Sequence, residues 1–328
     1  MEHSSARSVD PTLDLSAYPA PSGAQWTIEA GGHEAVVVEV GGGLRGYRVG
    51  DVDLVDGYRP DEVCPGSAGQ VLAPWPNRIR DGRYTFRGEA YQLALSEAES
   101  HNAIHGLVNW LPWRCVERAS AEVIVECDLW PTPGYPWPLR LRTHWAVGGD
   151  GLRAVHEATN LGATPCPFGL ATHPYLQLPG TDVDRTLLRV PARNRLLTDG
   201  RNLPIGAAKV AAGEFDYTEP RAIGSAMLDV AFGDPDRDAL GRSAVTLSAA
   251  GNSALGNEVA IVVWADEAFR WWQLFTGDTL LGGRRRRSVA VEPMTCPPDA
   301  FRSGRDLVVL EPGRTWRGSW GITPRGIR

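Results

Sequence analysis

Short apolar runs broken by glycine and proline dominate the chain. Residues 34–40 (EAVVVEV), 122–130 (EVIVECDLW), 258–265 (EVAIVVWA) and 306–310 (DLVVL) are of strand length. Residues 139–147 (LRLRTHWAV) alternate cleanly, with Leu139, Leu141, Thr143, Trp145 and Val147 on one face. The Gly148-Gly149-Asp150-Gly151 turn then leads into residues 152–159 (LRAVHEAT). Period-2 alternation around a Gly/Asp turn predicts a β-hairpin. Pro138, Pro191 and Pro220 mark strand starts or loops, where proline removes no ladder hydrogen bond. Helical signals are weak: 225–232 (SAMLDVAF) and 266–269 are candidates for a turn or two, and nothing has the length of a core helix. The pattern predicts an all-β fold, a large antiparallel β-sandwich with few short helices.

Composition sharpens this picture. With 328 residues and 43% hydrophobic content, the chain can bury a large core. Residues 1–23 are rich in Ser, Pro and Ala and are expected to form a flexible tail, followed by a single domain over 24–328. A net charge of −6 argues against a nucleic-acid partner. The N-terminus lacks an apolar signal core, and no run of 18 apolar residues exists, so no membrane association is expected. Five cysteines, an odd number without CxxC spacing, fit reduced thiols and a cytoplasmic location.

Several familiar signatures fail. Gly41-Gly42-Gly43-Leu44-Arg45-Gly46 matches GxGxxG, but a strand-like segment follows it where a dinucleotide site needs a helix. A hairpin turn is the better account. The only lysine, Lys209, lies outside any P-loop, and neither HExxH nor GxSxG occurs. The arginine run 284–287 invites a phosphate or nucleic-acid reading, against which stands a solvated hairpin loop.

Candidate chemistry sits in segments stiffened by proline. Asn77 and Arg78 follow Pro74-Trp75-Pro76 and offer hydrogen-bond donors suited to sugar hydroxyls. His105 precedes Gly106, which would let a ligand approach closely. His173 precedes Pro174 and is therefore biased to an extended conformation. Glu292 ends an apolar strand just before Pro293, and partial burial would raise its pKa toward the range of a general base. Asp229 could accept hydrogen bonds from hydroxyls. Each has an ordinary structural alternative, and His33, His101, His144 and His156 are left with theirs.

These segments together resemble the aldose 1-epimerase (galactose mutarotase) family. PWPNRIRDGRYTFRGEAYQL at 74–93 and NAIHGL at 102–107 carry the resemblance. THPYL at 172–176, LDVAF at 228–232, QLFTG at 273–277 and VEPMTCPPDAF at 291–301 follow in the family's order. The likeness spans residues 24–325 and implies a galactose mutarotase-like β-supersandwich needing no cofactor and no metal. It implies Glu292 as base and His173 as acid, with Asn77, Arg78, His105, Tyr175, Asp229 and Gln273 lining the sugar site. Departures occur where Val230 follows Asp229, where Leu176-Gln177 follow the HPY motif, and where Leu107 replaces a second glycine.

The implied reaction is anomer exchange of a free aldose such as glucose or galactose. Its partner would be the small-molecule sugar alone, with the chain a monomer or homodimer. The base and acid would face each other across a cleft wide enough for a hexose. Two alternatives remain: a hexose-6-phosphate 1-epimerase drawing on the 284–287 arginines, and a noncatalytic sugar-binding protein of the same fold.

Overall fold

The computed structural model describes residues 20–249 and 259–327. Among them, strands form a nine-stranded and an eight-stranded antiparallel sheet, a four-stranded sheet near the N-terminus and three two-stranded ribbons. The 139–159 hairpin forms as expected: Leu139–Gly148 pairs with Gly151–Asn160 from Leu139↔Asn160 through Gly148↔Gly151. The five residues placed on one face are all buried. Strand Thr315–Arg325 then joins this hairpin to Ala260–Ala265 inside the nine-stranded sheet. The three-glycine segment turns His33–Val38 back onto Leu44–Val49, a hairpin and not a nucleotide loop. Strands Leu139–Gly148, Ala192–Thr198 and Arg221–Ala222 each begin one residue after the flagged proline.

The two large sheets share one buried cluster. Phe232, Trp272, Leu274 and Val291 enter it from the eight-stranded sheet, and Leu188, Val245, Leu247 and Val263 from the other. The indole of Trp272 crosses between them and donates to Ser243 Oγ at 3.1 Å. Trp145 ties the nine-stranded sheet to the N-terminal one by donating to the Gly42 carbonyl at 3.1 Å. Such aromatic side chains each bury about 150–250 Å² and dominate a core's apolar stabilisation.

His156 has the structural role expected for it. It is fully buried, and its Nε2 accepts from the Trp320 indole at 2.9 Å. An indole only donates, so the ring proton sits on Nδ1, which donates to Thr143 Oγ1 at 2.9 Å. Burial pulls the pKa of His156 down to about 3. The unfolded chain takes up this proton near pH 6.5 and the folded chain does not, so stability falls as pH drops below about 6.5. By pH 5 the loss from this group is about 2 kcal/mol. Urea unfolding at pH 7, 6 and 5 should show that slope in the wild type. His156→Gln, which keeps an acceptor and a donor without titrating, should flatten it by one proton's worth, about 1.4 kcal/mol per pH unit.

The structure corrects four expectations. Residues 1–19 of the expected tail lie outside the described residues, but residues 20–23 are docked: Ser22 is buried and its carbonyl accepts from Val40 N at 3.0 Å. The segment 225–232 is not helical; it runs into strand Asp229–Pro235. Residues 266–269 form a turn, and the single α-turn among the described residues is Ala300–Ser303. The arginine run is not a solvated loop. Arg284 donates to the Gly57 carbonyl and pairs with Glu62, and Arg287 pairs with buried Asp56. Arg286 is held by Asp184 and Asp278 and by the carbonyls of Gly224 and Ala226. Only Arg285 of the four lacks such a partner among the described residues. No helix of the described residues is long and apolar enough to cross a membrane.

Candidate active site

Strand periodicity builds the floor of the site. Along Val289–Met294, Val289 and Val291 point into the inter-sheet core, which turns Ala290, Glu292 and Met294 to the opposite face. The same alternation on Trp271–Phe275 buries Trp272 and Leu274 and presents Gln273 and Phe275. On Asp229–Pro235 it presents Asp229. Register then aligns them, with Gln273 opposite Glu292 and Asp229 opposite Phe275.

Proline interrupts the sheet where His173 enters. Val291 N–H donates to the Pro174 carbonyl at 3.1 Å and Thr295 N–H to the Leu170 carbonyl at 2.9 Å, along the same strand edge. Pro293 lies between them and has no N–H to give. Across that gap the neighbouring strand is also broken, into Ala171–Thr172 and Tyr175–Leu176, by His173-Pro174. The two residue-before-proline positions, His173 and Glu292, therefore meet: Nε2 of the imidazole lies 3.3 Å from Oε1 of the carboxyl. This corrects the expected geometry. The pair does not flank a sugar-wide cleft; both groups stand side by side on one wall.

The opposite wall comes from ribbon Arg78–Arg80 with Asn102–Ile104. Asn77 and His105 adopt left-handed backbone conformations, φ +52° and +63°, which are sparsely populated by side-chain-bearing residues and recur at functional sites. They are joined by His105 N–H donating to the Asn77 carbonyl at 2.9 Å. Gly106 is needed here, but for packing: a Cβ would stand 2.1 Å from the Ala73 carbonyl oxygen. The close approach is by backbone and not by a ligand.

All eight expected residues line one cavity of about 510 Å³: Asn77, Arg78, His105, His173, Tyr175, Asp229, Gln273 and Glu292. Arg78 is clamped by Glu97, whose oxygens accept from its Nε and Nη2 at 2.9–3.1 Å. Its Nη1 lies 3.8 Å from Asp229 Oδ2. Asp229 also accepts from the amides of Gln273 and Asn202. Tyr175 stacks on His173 with ring centroids 4.9 Å apart and donates to the Gly66 carbonyl at 3.0 Å. The rings of His105 and His173 meet edge to face at 5.5 Å. Sequence reading missed Glu97, Ser100, Asn202, Phe275, Thr279 and Leu280. Glu97 lies in the acidic SEAES segment and Asn202 in a Gly-Arg-Asn turn, with no periodic or motif signal to single them out.

Buried polar atoms without protein partners mark what this cavity wants. Glu292 Oε2, Gln273 Oε1, His173 Nδ1 and His105 Nδ1 have no hydrogen-bond partner among the described residues. Leaving such atoms unsatisfied is costly, so a hydroxyl-rich ligand is the natural complement. Burial also sets the protons. It raises Glu292 well above the ordinary carboxyl range, with Asp229 adding to the rise and Arg78 opposing it. It lowers His173 to about 4, aided by Arg78. His105 falls well below the usual imidazole range through burial and then through His173 and Arg78. Asp229 is raised by burial against Arg78 and Gln273. Burial thus pushes both groups toward their neutral forms, a carboxylic acid beside an imidazole.

A profile of the Aldose 1-epimerase family matches residues 24–323. The uncharacterized protein YihR of Escherichia coli K12 is 32% identical over 297 residues, covering 90% of this chain and 92% of that one. The E. coli aldose 1-epimerase is 28% identical over 208 residues, 61% of this chain and 58% of its own. Among solved structures, the GalM/aldose epimerase homologue from C. elegans superposes with a TM-score of 0.78 at 19% identity, covering 93% of this chain and 100% of that one. The galactose 1-epimerase of Lactobacillus acidophilus gives 0.75 at 21% identity, covering 92% and 94%.

Proposed function

This chain belongs to the aldose 1-epimerase family, and from that premise we propose that it interconverts the α and β anomers of a free, uncharged aldose. The observation that carries the reading is the His173–Glu292 pair at 3.3 Å in a cavity of unsatisfied polar atoms. Mutarotation requires the anomeric hydroxyl to lose a proton as the C1–O5 bond breaks, while O5 gains one. The open aldehyde then rotates about C1–C2 and closes by the reverse transfers. One acid and one base holding a single proton between them suffice, and each such group typically contributes about 10²–10⁴-fold.

Glu292 takes the O1 proton and His173 delivers one to O5 in this reading. The proton that burial leaves on Glu292 must first pass to His173 across their contact. A bound sugar favours that transfer, because hydroxyls donating to Glu292 stabilise its ionised form. Arg78, already paired with Glu97, is a fixed donor for the ring oxygen and neighbouring hydroxyls, and His105 stands beside it. Asp229, Asn77 and Gln273 hold hydroxyls further round the ring, with Tyr175 as the packing wall behind His173. No step needs a cofactor.

Charge separates a free aldose from its 6-phosphate. The described residues lining the cavity include Glu97, Glu99 and Asp229, besides the buried Glu292, against a single cation, Arg78. The arginines 284, 286 and 287 are tied to acids and carbonyls of their own. A phosphate would meet net negative charge, and Arg285, the one arginine of the run without a partner among the described residues, does not line the cavity. Anomer exchange of glucose should therefore exceed that of glucose 6-phosphate by at least about tenfold in kcat/KM, a 1.4 kcal/mol difference. Equal or faster turnover of the phosphate ester would reverse the substrate assignment. Sugar binding by calorimetry with no turnover of glucose or galactose would replace the enzyme reading with a binding protein.

A further inference from the structure

Arg201 lies outside the cavity lining, yet its guanidinium gathers the segment that holds Arg78. Its Nε donates to the Ser100 carbonyl at 2.8 Å, and its Nη2 to the His101 carbonyl at 2.7 Å and to Asn102 Oδ1 at 3.1 Å. Asp81 accepts a further bond at 2.8 Å. Asn102, fully buried, turns its Nδ2 to Glu97 Oε2 at 2.8 Å. Glu97 in turn takes three contacts from Arg78 and has no other side-chain donor among the described residues. The relay runs from Arg201 through Asn102 and Glu97 to Arg78.

The 199–203 turn that carries Arg201 is itself fixed. Asp199 Oδ1 accepts from the N–H groups of Arg201 and Leu203, and Asp199 pairs with Arg80 at 3.1 Å. The next residue, Asn202, donates to Asp229 Oδ2 at 3.0 Å. One short turn therefore abuts both Asp229 and the relay to Arg78.

We propose that Arg201 is a positioning residue for the sugar site, orienting Arg78 through Asn102 and Glu97; the kinetic side of this rests on the mutarotase reading above. A partly exposed Arg–carboxylate pair does not by itself fix two side chains, because the entropy of holding them offsets most of the attraction. A carboxylate locked from behind by a buried amide has one orientation, and a planar guanidinium bonded to it through both Nε and Nη2 inherits it. Small displacements of a positioned group can cost about 100-fold in rate.

Arg201→Ala should raise KM for the aldose about tenfold while kcat changes less than about threefold, the signature of lost uniform binding. The pH limits set by the His173–Glu292 pair should not move, and Arg201→Lys should recover part of the loss. In an Arg78→Ala background, Arg201→Ala should add nothing, since the two act in series. An unchanged KM, or a fully additive double variant, overturns the proposal. A second readout is independent of turnover: the ¹⁵N–¹H resonance of Arg78 Nε, identified by its loss in Arg78→Lys. It should be protected in the wild type and broaden in Arg201→Ala, and an unchanged resonance also overturns the proposal. Should Arg201→Ala unfold, Asn102→Ser, which removes the relay amide, carries the same expectations. A wild type that turns over no aldose sinks the mutarotase reading alone, and the resonance still decides the positioning role.

Discussion

Glu292→Gln should slow anomer exchange by about 10²–10⁴-fold while leaving the fold intact. The second half of that expectation follows from burial. Glu292 is 2% exposed, and burial, with Asp229, pushes it toward its neutral acid. A neutral amide of the same shape therefore replaces a group that burial already pushes toward neutrality, beside an imidazole pushed the same way. His173→Asn should cost a similar factor. Because the two groups handle one proton as a unit, the double variant should be little worse than either single one. Polarimetry of freshly dissolved α-glucose and α-galactose measures the rates, and circular dichroism with thermal unfolding checks the fold. A Glu292→Gln protein exchanging anomers at the wild-type rate removes the carboxyl from the chemistry.

The pH profile should be a broad plateau with limbs in the reverse of the usual assignment. Below about 4, His173 becomes protonated while Glu292 is still an acid, and the pair holds two protons. No base is left, so the rate falls about tenfold per pH unit on that side. On the alkaline side the raised Glu292 loses the shared proton, no acid is left, and the rate falls again. Between these limits the pair carries one proton wherever it resides, so the rate is level across neutral pH. The acid limb thus reports the imidazole and the alkaline limb the carboxyl. Glu292→Gln should remove the alkaline limb from whatever activity remains. A profile that already declines between pH 7 and 6 would show that the imidazole keeps an ordinary pKa and that burial does not govern the pair.

The strands and the site residues were legible for different reasons. Alternation in 139–159 is strict because one face is buried along its whole length, and the hairpin could be drawn from sequence. The run 225–232 could not be assigned the same way, since apolar residues occupy both faces of its strand, Val230 and Phe232 in the inter-sheet core and Ala231 in a smaller cluster. His173 and Glu292 were legible through the prolines beside them, although their meeting depends on a sheet register that no local pattern encodes. The partners of the arginine run, Asp56, Asp184 and Asp278, illustrate the same limit. Two of the three lie about 100 residues or more away in sequence, so the run looked solvated. Glu97, Asn102 and Arg201 went unnoticed because a polar loop residue carries no mark of the neighbours that will surround it.

The interruption opposite Pro293 has one more consequence. The pairs Ala171↔Met294 and Tyr175↔Ala290 set Thr172 opposite Pro293, so the Thr172 carbonyl, the natural rung for an amide at position 293, receives nothing from that residue, while the His173 carbonyl faces the other edge and accepts from Gly69 N–H at 2.8 Å. An ordinary residue at 293 would bring an N–H to that carbonyl of Thr172 and close the rung next to the imidazole. The imino acid thus keeps the ladder one rung short beside the His173–Glu292 pair.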